Sequence, residues 1–176
     1  MSVTRIAAAA VIIGSAMLAR PVVAQCSASN SCSTTNTASV TIGALVNLEM
    51  SSTTTTLTSP TVSDLGGSVA NDGPTFVVHA NQAWTLSIKS GNAVNWTYTG
   101  SESGVKPIGD LTWSDASNGT FAAITASDAT LASGSASTDN TAAAVFFKTL
   151  YSADYSDPSV RPGSYSLPVV FTLSAP

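Results

Sequence analysis

Charge is scarce in this chain. Of 176 residues only 9% are Asp, Glu, Lys or Arg, six basic against ten acidic, and there is one histidine. Two of the basic residues, Arg5 and Arg20, belong to an N-terminal segment treated below, which leaves Lys89, Lys106, Lys148 and Arg161. Four scattered cations exclude a phosphate-tracking surface, so nucleic acid is not an expected partner, and anionic membrane surfaces are disfavoured for the same reason. Two cysteines and one histidine cannot fill a structural zinc shell, so neither a metal nor another cofactor is expected. No G-x-S-x-G elbow is present. The parity of His79 sets it opposite Phe76 and Val78, on a polar face, where a solvated histidine is the expectation rather than a general base. No catalytic residue is assigned, and the chain reads as a non-enzyme.

Long apolar runs are also missing, with one exception. Residues 1–24 have Arg5 as a weak basic start, an apolar stretch from Ile6 to Leu18 and a Val22-Val23-Ala24 ending, the pattern of an export signal peptide cleaved before Gln25. That stretch is shorter than the roughly 20 residues of a membrane span, and no later segment approaches this length. Cys26 follows the cleavage point, as in lipoprotein signals, but that processing wants a small residue where Gln25 stands. Export to an oxidising compartment pairs Cys26 with Cys32 in a disulfide.

What is abundant is serine and threonine, roughly a third of residues 25–176 and far above ordinary usage. Thr suits half-exposed strand positions, and Ser with Gly suits turns. Residues 25–37 read as a flexible Ser/Thr/Asn-rich leader and 38–176 as one domain. Val40, Ile42, Ala44, Val46, Leu48 and Met50 alternate with mostly polar or small residues, predicting a long strand with its even face inward. Thr53 to Thr58 predicts a second strand and Asn71-Asp72-Gly73-Pro74 a turn. Phe76, Val78, Ala80, Trp84, Leu86 and Ile88 keep one parity through two strands or one bulged strand. Further strands are expected at Trp96–Thr99, Asp110–Trp113, Gly119–Ile124, Ala142–Tyr151 and the closing Ser164–Pro176. Ala122 to Leu131 and Thr141 to Val145 read equally as strand or short helix. Seven to nine short strands predict an all-β fold, an antiparallel Ig-like β-sandwich with at most one short helix. Its expected core is Val40, Ile42, Val46, Leu48, Phe76, Val78, Trp84, Leu86, Ile88, Val145, Phe147, Val169, Phe171 and Leu173.

The carboxylates fall mainly in turn-like sequences, where Asp bonds nearby backbone. Asp115 with Asn118, or Asp154 with Asp157, could contribute oxygens to a calcium site, though neither has the alternating acidic spacing of a dedicated loop. Among the aromatics, Trp96, Tyr98 and Tyr155 adjoin turns, where rings can pack at the rim or stack on a sugar.

Trp84-Thr85-Leu86, followed by Lys106-Pro107-Ile108-Gly109-Asp110-Leu111-Thr112-Trp113, resembles the first half of the WxL domain of bacterial cell-surface proteins. Pro162-Gly163-Ser164-Tyr165 with Phe171-Thr172-Leu173-Ser174-Ala175-Pro176 is similar to its closing motif, with Phe171 where that family has tryptophan. The resemblance implies export, non-covalent attachment to peptidoglycan and Trp84, Leu86, Phe171 and Leu173 as the binding-motif residues. The closing Gly-x-Tyr strand also resembles that of pilin-like and spore-coat-like sandwich subunits, which assemble by strand addition.

Three functions therefore stand as expectations for a secreted, cell-surface-associated protein. The first is non-covalent binding of an envelope polymer, peptidoglycan or another glycan, with no covalent anchor after the last strand. The second is a structural subunit of a fibre or coat, whose partners are like subunits; its donor strand would begin near Val40. The third is a carbohydrate-binding module using Trp96, Tyr98 or Tyr155.

Overall fold

The computed structural model describes residues 26–28, 30–135 and 138–176; the expected signal peptide lies outside them. The chain divides between Thr41 and Ile42 into two units. In the first, Cys26 and Cys32 form the expected disulfide, with Cα atoms 5.7 Å apart, and its described residues are exposed.

The second unit is an all-β sandwich. Its strands are β1 (Val46–Met50), β2 (Ser68–Ala80), β3 (Trp84–Ser90), β4 (Thr97–Thr99), β5 (Leu111–Ser114), β6 (Ala122–Ala123), β7 (Ala129–Gly134), β8 (Thr138–Leu150), β9 (Ser164–Ser166) and β10 (Val169–Ser174). A five-stranded sheet runs β1-β2-β8-β5-β6, a three-stranded sheet β10-β3-β7, and β4 pairs with β9 alone; every pairing is antiparallel. Neither Ala-rich segment is helical: Thr141 to Val145 lies within β8, and Ala122 to Leu131 is two strand pieces joined by a bend. Helical structure among the described residues is limited to three-residue 3-10 turns. Alanine's helix preference, a few tenths of a kcal/mol per residue, is outweighed by ladder pairing across 13 residues of β2 and β8.

The core follows the alternation of the central strands. Phe76, Val78, Trp84, Leu86, Ile88, Val145 and Phe147 are buried, joined by Trp96, Leu111, Ile124 and Leu131. Each fully buried aliphatic or aromatic side chain contributes about 1.5–3 kcal/mol of transfer free energy. Val169, Phe171 and Leu173 are half-buried because β10 is an edge strand; Phe171 packs against Phe76 of the facing sheet in a tilted arrangement, with ring centroids 4.7 Å apart.

Three expectations are corrected. Asn71-Asp72-Gly73-Pro74 is no turn: it lies within β2 as a bulge, where the register to β8 slips between Asp72 and Thr75. Turn-forming residues serve a bulge equally well. Gly73 is needed there, since a Cβ would stand 2.7 Å from both Val145 and Phe147 side chains. Thr53 to Thr58 is not a strand but an irregular surface segment. The strand expected from Val40 begins only at Val46, and the expected core residues Val40, Ile42 and Val46 are exposed, with Leu48 half-buried.

Candidate functional site

The residues leading into β1 keep the alternation of a strand without the neighbours of one. Asn81, just past β2, supplies the last of the pairing: its backbone N–H donates to the Leu45 carbonyl (3.2 Å), its Oδ1 accepts from the Leu45 N–H (2.8 Å) and its Nδ2 donates to the Gly43 carbonyl (2.9 Å). Among the described residues no hydrogen bond involves Ala38 to Ile42. Val40 is 85% exposed and Ile42 71% exposed.

After β1 the chain continues as a strap, Ser51 to Thr61, that crosses an open seam of the sandwich. Ser51 still bonds Thr75, through its N–H to the carbonyl at 2.9 Å and its Oγ from the N–H at 2.9 Å. Beyond it the strap is tied by the Thr58 N–H to Asn71 Oδ1 (2.7 Å) and by the half-buried Leu57, its one large apolar side chain. Its far end is closed by Asp64, whose Oδ2 accepts from the Thr61 N–H (2.7 Å) and hydroxyl (2.6 Å); those bonds hold the carboxyl below its usual pKa.

Leu57 stands between two cavities. The first, about 600 Å³, has core residues Trp96, Leu111 and Phe147 in its wall, with Met50 and the strap on one side and Leu167, Val169 and Phe171 on the other. It therefore opens beside β10, which pairs with β3 on one side only. The second, about 590 Å³, is lined from Leu57 to Leu65 by the strap and its turn, and opposite by Trp96, Tyr151, Tyr155, Arg161 and Tyr165.

Charge in the second cavity is neutralised internally. Lys106 is only 2% exposed; its Nζ donates to Asp110 Oδ2 (3.0 Å) and the Leu150 carbonyl (2.7 Å) and lies 4.6 Å from the centre of the Tyr151 ring. Arg161 donates to the Ser156 carbonyl (3.0 Å) and pairs with Glu102 at 3.5 Å. Burial pushes the Tyr151 phenol up, partly opposed by the neighbouring Thr149 hydroxyl; burial likewise raises Tyr165, whose OH donates to the Arg161 carbonyl (2.9 Å).

Of the residues singled out from sequence, Trp96 and Tyr155 line this one cavity and Tyr98 does not. The Trp96 indole N–H donates to the Pro107 carbonyl (3.0 Å), so its ring is a wall. Tyr155 is 66% exposed. Tyr98 instead packs against Tyr165 in a tilted arrangement, with ring centroids 4.9 Å apart, and donates to the Pro162 carbonyl. The four motif residues share adjacent strands, Phe171 opposite Ile88 and Leu173 opposite Leu86, with Trp84 and Leu86 buried.

The remaining polar candidates bond groups close to them. Asp154 Oδ1 accepts from the Ser156 N–H and hydroxyl, and Asp157 Oδ1 from the Ser159 N–H, bonds that lower both carboxyl pKa values. His79 is partly exposed, 3.6 Å from Glu49. Among the described residues no group of three His, Cys, Asp or Glu is placed to hold a metal ion, and no helix is long and apolar enough to cross a membrane. Sequence reasoning missed Leu57 and Thr149. A single leucine in a run of threonines was a readable sign for the first.

No protein-family model and no curated protein matches the chain.

Proposed function

We propose that this is a secreted, non-enzymatic structural subunit that joins copies of itself by strand addition. The observation that carries the proposal is the pair Val40 and Ile42, large apolar side chains of one parity left in water ahead of β1. Covering each would be worth about 1.5–3 kcal/mol. A second copy offers the complement. β10 is a free edge six residues long, about 20 Å, which the seven residues Ala38 to Ala44 match in extended form. Beside that edge the 600 Å³ cavity opens on core side chains, so an added strand would gain main-chain hydrogen bonds and bury its even-numbered side chains together. Export, read from residues 1–24, and the Cys26–Cys32 disulfide support an extracellular setting.

Envelope attachment, which the WxL resemblance implies, is the second reading. The motif side chains are committed to packing, so a wall polymer would meet other, exposed surface. Sedimentation separates the two. Protein spanning 25–176 is spun alone and with isolated peptidoglycan sacculi. Self-assembly predicts sedimenting or oligomeric species in protein alone, lost in Val40→Asp/Ile42→Asp. A strictly monomeric wild type at high concentration overturns strand addition, and pelleting only with sacculi promotes the second reading.

A further inference from the structure

Thr149 holds the one buried side-chain oxygen among the described residues that has no hydrogen-bond partner. It is 2% exposed, lies on the core-facing side of β8 with Val145 and Phe147, and lines the second cavity. Its polar neighbour, the Tyr151 phenol, is near enough to be eased in its ionisation but out of hydrogen-bonding geometry. Leaving a hydroxyl unpaired in a protein interior costs on the order of 1–3 kcal/mol, and a valine of the same shape would avoid it. A hydroxyl kept at such a cost, buried in the wall of a cavity, marks a place where a ligand atom can bond once the wall gives slightly.

We infer that this cavity is a binding site for a neutral pyranose, the end or a single unit of an uncharged glycan. Four observations define that class. The volume, about 590 Å³, falls in the range of small-ligand sites, roughly 300–1,000 Å³. Aromatic surface is available to the C–H face of a sugar from the exposed ring of Tyr155, with the largely buried Trp96 in the wall behind. Hydroxyl groups, not ions, dominate the polar lining: Thr149 and Tyr151 on one side, Ser59 and Thr61 of the strap on the other. Finally, both cations at the site already have carboxylate partners, Lys106 with Asp110 and Arg161 with Glu102, so an anion would find no unpaired charge. A sugar hydroxyl meets Thr149 Oγ1 as donor or acceptor, which a purely apolar guest cannot do.

This site is independent of strand addition, because none of its residues belongs to the N-terminal segment or to β10. The test uses Val40→Asp/Ile42→Asp protein spanning 25–176, so that loss of self-association cannot be mistaken for loss of binding. Cellotetraose, maltotetraose and tetra-N-acetylchitotetraose are titrated against it by calorimetry, with inorganic phosphate as the anionic control. At least one tetrasaccharide is expected to bind, and phosphate is not. Thr149→Val should weaken that binding about tenfold or more while the melting temperature holds or rises, a combination that a merely structural threonine would not give. Tyr155→Ala, at an exposed position, should weaken it without affecting the fold. Silence with all three sugars overturns the inference, as does binding of phosphate alone or unchanged sugar affinity in Thr149→Val.

Discussion

The segment Val40-Thr41-Ile42-Gly43-Ala44-Leu45-Val46 and strand β3, Trp84-Thr85-Leu86-Ser87-Ile88, carry the same period-two signal and meet opposite fates. In β3 the even side chains are 0–3% exposed; in the N-terminal segment Val40, Ile42 and Val46 are 42–85% exposed. Their chemistry differs little. What differs is company: β3 has β10 on one side and β7 on the other, over a facing sheet, whereas Asn81 lends the N-terminal segment hydrogen bonds only as far as Gly43. Alternation identifies a face that wants cover. It does not say whether the cover lies in the same molecule.

The largest expected contrast comes from making one substitution in each region. Leu86→Ala should cost about 2–5 kcal/mol, through lost transfer energy and the cavity left behind, and should lower the melting temperature sharply. Ile42→Ala should stay within about 0.5 kcal/mol of wild type in dilute monomer, yet reduce self-association measured by light scattering at high concentration. Equal melting effects would erase the distinction drawn here. A smaller effect is expected midway between the regions, at Leu57, whose side chain is half covered. Leu57→Ala should cost about 1 kcal/mol and release the strap, read as faster cutting between Thr53 and Ser59 by elastase. The smallest effect concerns the loops around the second cavity. Asp64, Asp154 and Asp157 have carboxyl pKa values below 3.8 in the folded chain, so their contribution is present above that value and fades as pH falls through the lowered ones. Thermal melts should therefore be flat from pH 7 to about 5 and decline only below about 4; a decline centred near pH 6 would point to another group.

The β architecture was legible because β3 alternates apolar and polar residues over six positions, 84–89, and β10 over four, 171–174, whereas β8 is apolar on both faces from Ala142 to Phe147 and so read as strand or helix. Boundaries failed where a residue type serves two structures. Gly73-Pro74 satisfies a bulge as well as a turn, and Thr53–Thr56 has strand propensity but no neighbouring edge to pair with. Of the cavity beneath the strap, Trp96 and Tyr155 could be singled out as aromatics beside turns. Thr149 could not, because the isolation of its hydroxyl arises from strands and loops far apart in sequence, and in a chain so rich in threonine nothing local sets it apart.

The disposition of the four cations beyond residue 25 has one further consequence, for digestion. A protease that cuts after lysine or arginine finds Lys106 and Arg161 each followed by proline, which blocks the cleavage. Lys89 lies within β3, paired with Asp128 at 3.1 Å, and Lys148 within β8, its Nζ 4.0 Å from the centre of the Phe121 ring. Trypsin has no site in the strap or in the exposed segment before β1, so the parts of the molecule open to water are those it cannot cut. For a protein proposed to act outside the cell, resistance to such enzymes would follow from the scarcity of basic residues without any added rigidity.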